Sequence, residues 1–197
     1  MVIGITGGVG CGKSAVLSIL EEDFNAHIID ADKVAHRLME PFNPAYDKII
    51  ACFGEAVKDR GGFIDRKRLG QIVFNHKEKL KCLNSIVHPM VKEAIMEEIR
   101  DINSLKTLIA VEAALFIEAG YMDICDELWY IYTDNESRIE RLIKSRGYTR
   151  EKTESIISSQ LSDSEFRRHC HIIIDNSGSR ADTKAQIAAA LNNQSRK

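Results

Sequence analysis

Val2-Ile3-Gly4-Ile5-Thr6-Gly7-Gly8-Val9-Gly10-Cys11-Gly12-Lys13-Ser14 is the stretch whose reading decides this fold. The apolar run from Val2 to Thr6 reads as a short buried strand, and Ala15 to Leu20 reads as a helix. Between them stands the complete G-x-x-x-x-G-K-[ST] pattern, Gly7 to Ser14. Its glycines let the backbone turn tightly, so that N–H groups face inward on one point. The helix that follows aims its positive end at the same point. Lys13 is placed to reach the β- and γ-phosphates, and the Ser14 hydroxyl to hold Mg²⁺. This geometry selects a nucleoside triphosphate, with Gly8, Gly10, Cys11, Gly12, Lys13, Ser14 and Ala15 as the residues expected to bind it. A chance glycine-rich turn is the plain alternative, and the strand before and helix after it argue against that. At Cys11 the backbone N–H matters more than the sulfur, whose thiol is a candidate accessible group.

Strand and helix signals alternate outward from this loop. His27-Ile28-Ile29 ending at Asp30, Leu105 to Glu112, Glu127 to Thr133 and His171 to Asp175 read as four more strands. Helices between them predict an α/β core of three layers, a parallel sheet covered on both faces. Thr183 to Leu191 reads as a closing helix, and Asn192 to Lys197 as a frayed polar tail. Two stretches break the alternation. Residues 32–103 carry mainly helical signals, clearest where Pro89 precedes Val91, Ala94, Ile95, Ile99 and Ile102 at helical spacing, which reads as a helix starting at the proline. That excursion predicts a helical substrate lobe. Residues 137–168 carry Arg138, Arg141, Lys144, Arg146, Arg150, Lys152, Arg167 and Arg168, and read as a helical lid or as a solvated charged face. The remaining core is expected at about 1–31, 104–136 and 169–197, all within one domain.

The chain has 197 residues, 44% hydrophobic and 28% charged, which excludes bulk disorder. A formal net charge of −2 argues against nucleic acid as partner. Its five cysteines, an odd number with no C-x-x-C pair, predict reduced thiols and a cytoplasmic setting. No signal peptide fits ahead of the phosphate loop, and no uncharged apolar run is long enough for a bilayer, so no membrane association is expected. No obligate protein partner is expected either.

Beyond the loop, Asp30-Ala31-Asp32 follows the second strand, where ligands gather in open α/β sheets. Two residues apart in an extended segment, both carboxylates would face the cleft. One could take or orient the proton of an acceptor hydroxyl, while a helix N-cap explains an aspartate there equally well. The compatible reading has Asp30 orienting and Asp32 reacting. Glu112 ends a strand and is a candidate for the metal or its waters, or a cap for a helix over Ala113 to Ala119. Arginine forks suit the charge of a transferring phosphoryl group, with Arg141 the first choice and Arg146 the second. His88 is a candidate acceptor contact. His169-Cys170-His171 does not make a zinc site, since adjacent strand residues face opposite ways and no second ligand pair stands nearby.

The order of these motifs resembles the dephospho-coenzyme A kinase family. GITGGVGCGKS at Gly4 to Ser14, DADKVAH at Asp30 to His36, FG at Phe53-Gly54 and FIDRKRLGQIVF at Phe63 to Phe74 carry the resemblance. LNSIVHP at Leu83 to Pro89, LFIE at Leu115 to Glu118, SQ at Ser159-Gln160 and IIIDNSG at Ile172 to Gly178 complete it across nearly the whole chain. The resemblance implies a P-loop kinase core with a helical coenzyme-A lobe and a lid. It implies ATP-dependent phosphorylation of the ribose 3′-hydroxyl of dephospho-coenzyme A, with Asp32 as catalytic carboxylate and Asn176 in a loop near the adenine. The chain departs from the family where Ala114-Leu115 lacks a preceding proline, where Arg138 stands in place of a usual glutamine, and where Cys170-His171 replaces a frequent Ala-Asp. Ala15 stands where threonine is common, and Arg141 and Arg146 are one residue further apart than expected. The nearest rival is a kinase of another nucleoside or small-molecule hydroxyl acceptor. A regulatory NTPase is more distant: Asp59 to Gly62 and Asp175 to Gly178 match D-x-x-G, but no N-K-x-D segment is present.

Overall fold

The computed structural model describes residues 1–74, 76–103 and 108–194. They fall into two compact units, one of residues 1–29 with 102–197 and one of residues 30–101.

The first unit is built on a five-stranded sheet in the order β2-β3-β1-β4-β5, with β1 (Val2–Thr6) in the middle. β3 (Ile109–Glu112) and β4 (Glu127–Tyr132) flank β1 in parallel, and β5 (Ile172–Asp175) runs parallel to β4. β2 (His27–Asp30) forms the edge beside β3. Ile3 pairs with Ala110 on one side and Ile5 with Trp129 on the other. All five residues of β1 are buried, as a strand covered on both faces requires. On one face, α1 (Lys13–Phe24) and α9 (Arg180–Gln194) cover Ile3, Ile5, Trp129, Ile131 and Ile174 with Val16, Ile19, Leu20 and Ile187. The other face packs Phe166 of α8 (Asp163–His169) flat on Tyr130, ring centroids 4.7 Å apart. The stretch read as a lid holds α6 (Asn135–Arg146), α7 (Arg150–Ser158) and α8, each with a side-chain N-cap: Asp134, Thr149 and Ser162.

Several expectations are corrected here. Residues 105–107 of the expected third strand lie outside the described residues, and the strand itself is Ile109–Glu112. In place of the helix expected over Ala113 to Ala119, Ala114 to Gly120 is a run of turns, closed by Tyr121 N–H on the Phe116 carbonyl. Asn192 to Gln194 continue α9, while residues 195–197 lie outside the described residues.

The second unit is helical: α2 (Ala31–Leu38), α3 (Pro44–Phe53), α4 (Arg66–Phe74) and α5 (Lys77–Asn103). Ala45, Ile49, Val57, Ile64, Leu69 and Val73 form its core. α5 begins at Lys77 and runs straight through Pro89, so the proline does not start the helix. A proline inside a helix removes one backbone donor; the apolar residues flanking it, Leu83, Ile86, Val87 and Met90, pack on the core and offset that loss. The expectation of five reduced thiols also fails. Cys52, at the end of α3, is disulfide-bonded to Cys82 in α5, leaving Cys11, Cys125 and Cys170 free. Packing two helices on one core brings together cysteines 30 positions apart, which a count of cysteines does not reveal.

Candidate active site

The phosphate loop leaves the carboxyl end of the central strand, where an open α/β sheet gathers its ligands. Gly12 is the N-cap of α1 in the left-handed region, φ 83°. A Cβ there would also lie 2.3 Å from the Asn176 amide nitrogen, so no other residue fits. The first turn of α1 carries no acidic residue, which leaves its positive end to an anion.

The back of the loop is braced by side chains from later in the chain. The Cys11 carbonyl accepts from Thr133 Oγ1 at 2.9 Å, from Asn176 Nδ2 at 2.9 Å and from Arg141 at 3.5 Å. Asn176 is in turn fixed by Thr183, whose hydroxyl donates to Asn176 Oδ1 at 3.0 Å. Thr133, Asn176 and Thr183 are all buried. With the carbonyl tied from behind, the loop is shaped before any phosphate binds.

Lys13 Nζ donates to the Gly7 carbonyl at 3.1 Å and lies 3.4 Å from Glu112 Oε1. Strand register accounts for the pair, because Glu112 stands opposite Ile5 two residues before the loop. Cys11 is 2% exposed, so its thiol is not an accessible group, and burial pushes it above its ordinary pKa. A cavity of about 340 Å³ opens beside the loop, lined by Gly12, Ala15, Ile19, Arg141, Asn176 and Arg180, among others. Its size and mixed lining suit a nucleoside. Arg141 is held at its wall by the Asn176 carbonyl, 2.8 Å, and Thr133 Oγ1, 3.3 Å. Arg146 lies in the last turn of α6, 6.0 Å from the Tyr148 ring centroid.

The first unit thus brings together Gly8 to Ala15, Glu112, Arg141 and Asn176. Asp30, Asp32 and His88 belong to the second unit. Asp30 caps α2, accepting from Lys33 N–H at 3.1 Å, and Asp32 is exposed in the first helical turn. The expected extended geometry with both carboxylates on one side is therefore corrected to a cap followed by a helix. His88 sits midway along α5 rather than at a helix start, and partial burial lowers its pKa. Among the described residues no group of His, Cys, Asp and Glu forms a metal cluster; His171 Nδ1 instead accepts from Leu128 N–H.

Sequence reading missed Thr133, Thr183 and the part of Gln160, whose side chain reaches Val9. A hydroxyl at the carboxyl end of the strand next to the loop was the one available signal for Thr133.

A parallel sheet with a phosphate loop at its centre, a shaped anion cradle and an adjoining nucleoside-sized cavity define a P-loop nucleotide-binding α/β protein of the small-molecule kinase type. The family model described as dephospho-CoA kinase matches residues 1–182, and the chain belongs to that family. A dephospho-CoA kinase of Carboxydothermus hydrogenoformans is 39% identical over 191 residues, 96% of this chain and 92% of that protein. The crystal structure of TT1252 from Thermus thermophilus superposes with a TM-score of 0.84 at 29% identity, covering 98% of this chain and 97% of that one. Dephospho-CoA kinase from Campylobacter jejuni does so at 0.72 and 28%, covering 99% and 97%. Among the described residues no helix is long and apolar enough to cross a membrane.

Proposed function

We propose that the protein transfers the γ-phosphoryl group of ATP to the ribose 3′-hydroxyl of dephospho-coenzyme A, giving coenzyme A and ADP in the cytoplasm. The observation that carries this reading is the phosphate loop of a chain matching one kinase family over residues 1–182, its carbonyl at Cys11 tied back and its helix end free of acid. Gly8, Gly10, Cys11, Gly12, Lys13, Ser14 and Ala15 take the triphosphate, and the cavity at Gly12, Arg141 and Asn176 takes the nucleoside. Arg141 and Lys13 supply positive charge where negative charge spreads in phosphoryl transfer.

Mg²⁺ is the metal such chemistry calls for. The exposed Ser14 hydroxyl and the Glu112 carboxylate are hard oxygen donors of the kind it prefers, so the residues fit. When bound, the ion neutralises phosphate charge.

In the transfer, the ribose 3′-oxygen forms a bond to the γ-phosphorus. The bond from phosphorus to the β,γ-bridging oxygen breaks, and ADP leaves with that electron pair. The hydroxyl proton passes to Asp32, an exposed carboxylate with Asp30 fixing the helix start behind it. His88 is assigned to acceptor binding.

An assay of ADP release over a panel of hydroxyl acceptors tests this reading, with mass spectrometry locating the new phosphate. Turnover only with dephospho-coenzyme A, phosphorylated at the 3′-oxygen, is the expected result. Equal turnover with another nucleoside, or release of phosphate without any acceptor, would replace the reading by that of a different kinase or an NTPase.

A further inference from the structure

Val9 lies in the middle of the phosphate loop with both ends of its backbone gripped by side chains from far along the chain. Its N–H donates to Gln160 Oε1 at 2.9 Å, and its carbonyl accepts from Arg138 Nε at 2.9 Å. The two side chains also meet, Arg138 donating to Gln160 Oε1 at 3.1 Å. Arg138 is 9% exposed, and its remaining contact is Asn135 Oδ1 at 3.4 Å. Every hydrogen-bond acceptor recorded for this buried guanidinium is therefore a neutral oxygen. Burying a cation without a carboxylate is costly, so the placement calls for a reason other than stability.

The neighbours of Val9 supply one. It stands between Gly8 and Gly10, the latter at φ 79°. Each of the two peptide units that meet at Val9 borders a glycine, and such a unit turns over more easily because glycine has no side chain to resist it. Such a flip would change the direction of the N–H groups that the phosphate-loop motif uses to bind an anion. The grip also fills the space beside the loop: a Cβ on Gly8 would lie 2.3 Å from the Arg138 guanidinium.

We propose that Arg138 and Gln160 are positioning residues that act as one unit, from α6 and from just past the end of α7, to hold the two peptide units that meet at Val9 in the orientation that nucleotide binding requires. The inference rests on the proposed function only in taking the ligand to be ATP. A loop that is correctly shaped for a fraction of the time binds with its affinity reduced by that fraction, while the saturated enzyme turns over as before. Loss of the grip therefore acts on nucleotide affinity and not on the chemical step.

The test measures ATP binding directly by calorimetry, without acceptor, on Arg138→Met, Gln160→Met, Arg138→Lys and the double methionine variant, with circular dichroism to confirm folding. Each methionine variant should bind ATP about tenfold more weakly, with a matching rise in KM for ATP. Turnover at saturating ATP should stay within about threefold. The double variant should fall well short of the product of the two single effects, since the pair works jointly. Arg138→Lys keeps the charge but cannot reach Val9 and Gln160 together, and should behave like the methionine variant. Should Arg138→Met not fold, Gln160→Met, which alters a partly exposed side chain, carries the test alone. Unchanged ATP affinity in folded Gln160→Met, a fully multiplicative double variant, or full affinity in Arg138→Lys would each overturn the proposal. Because no acceptor is present, a failed acceptor assay leaves this result standing, and the reverse holds too.

Discussion

Lys13 is held between the Gly7 carbonyl and the Glu112 carboxylate at the mouth of the loop. A phosphate entering that mouth would meet an ammonium group already in place, so Lys13→Ala should cut turnover by orders of magnitude in a protein that still folds. Near-normal turnover would remove Lys13 from the mechanism. Asp32→Asn keeps the shape of the side chain and deletes the base. General-base loss costs roughly 10²–10⁴-fold, and a loose transition state favours the low end of that range. Turnover should drop accordingly with ATP affinity unchanged; the opposite pattern, with Asp30→Asn the inactive variant, would exchange the roles of the two carboxylates. His88 gives a pH signature. Burial holds its folded pKa below its ordinary 6.5, so the unfolded chain takes up the proton first as pH falls. The contribution is fully present above 6.5 and is lost as pH falls below it, through the depressed folded value. Thermal melts from pH 7.5 down to 5.5 should show a steeper loss for the wild type than for His88→Gln; parallel curves would assign the loss to other groups.

Helix ends and strand ends are where this molecule is most readable and also where reading went astray. In α8 the Ser162 side chain accepts from Glu165 N–H while Glu165 reaches back to Ser162 N–H, a reciprocal capping box written plainly as S-D-S-E. Ser162→Ala should cost about 1 kcal/mol, read from chemical denaturation. α7 is tied to α6 by Arg150 with Glu136, an exposed pair of the kind that is worth little on its own. Hydrogen exchange in α7 and α8 should slow when ATP and acceptor are both bound; exchange indifferent to ligands would make these helices a fixed charged surface. The phosphate loop was legible because all its parts are adjacent in the chain. The braces behind it were not, since Thr133 and Asn176 reach Cys11 across 122 and 165 positions, and local periodicity carries no trace of such pairings. Pro89 misled for the converse reason. The local rule that starts a helix at proline yields to the packing of Leu83, Ile86 and Val87, which keep the preceding turns helical.

At the scale of the molecule, the sheet order places the first strand in the middle, between β3 and β4. Everything that shapes the loop from behind then comes from the second half of the chain: Thr133 after β4, Arg138 from α6, Gln160, and Asn176 after β5. Synthesis runs from the amino end, so the phosphate loop is made well before the residues around Asn176 and Thr183 that brace it. A nascent chain halted before that point would carry the whole motif without the side chains that shape it from behind.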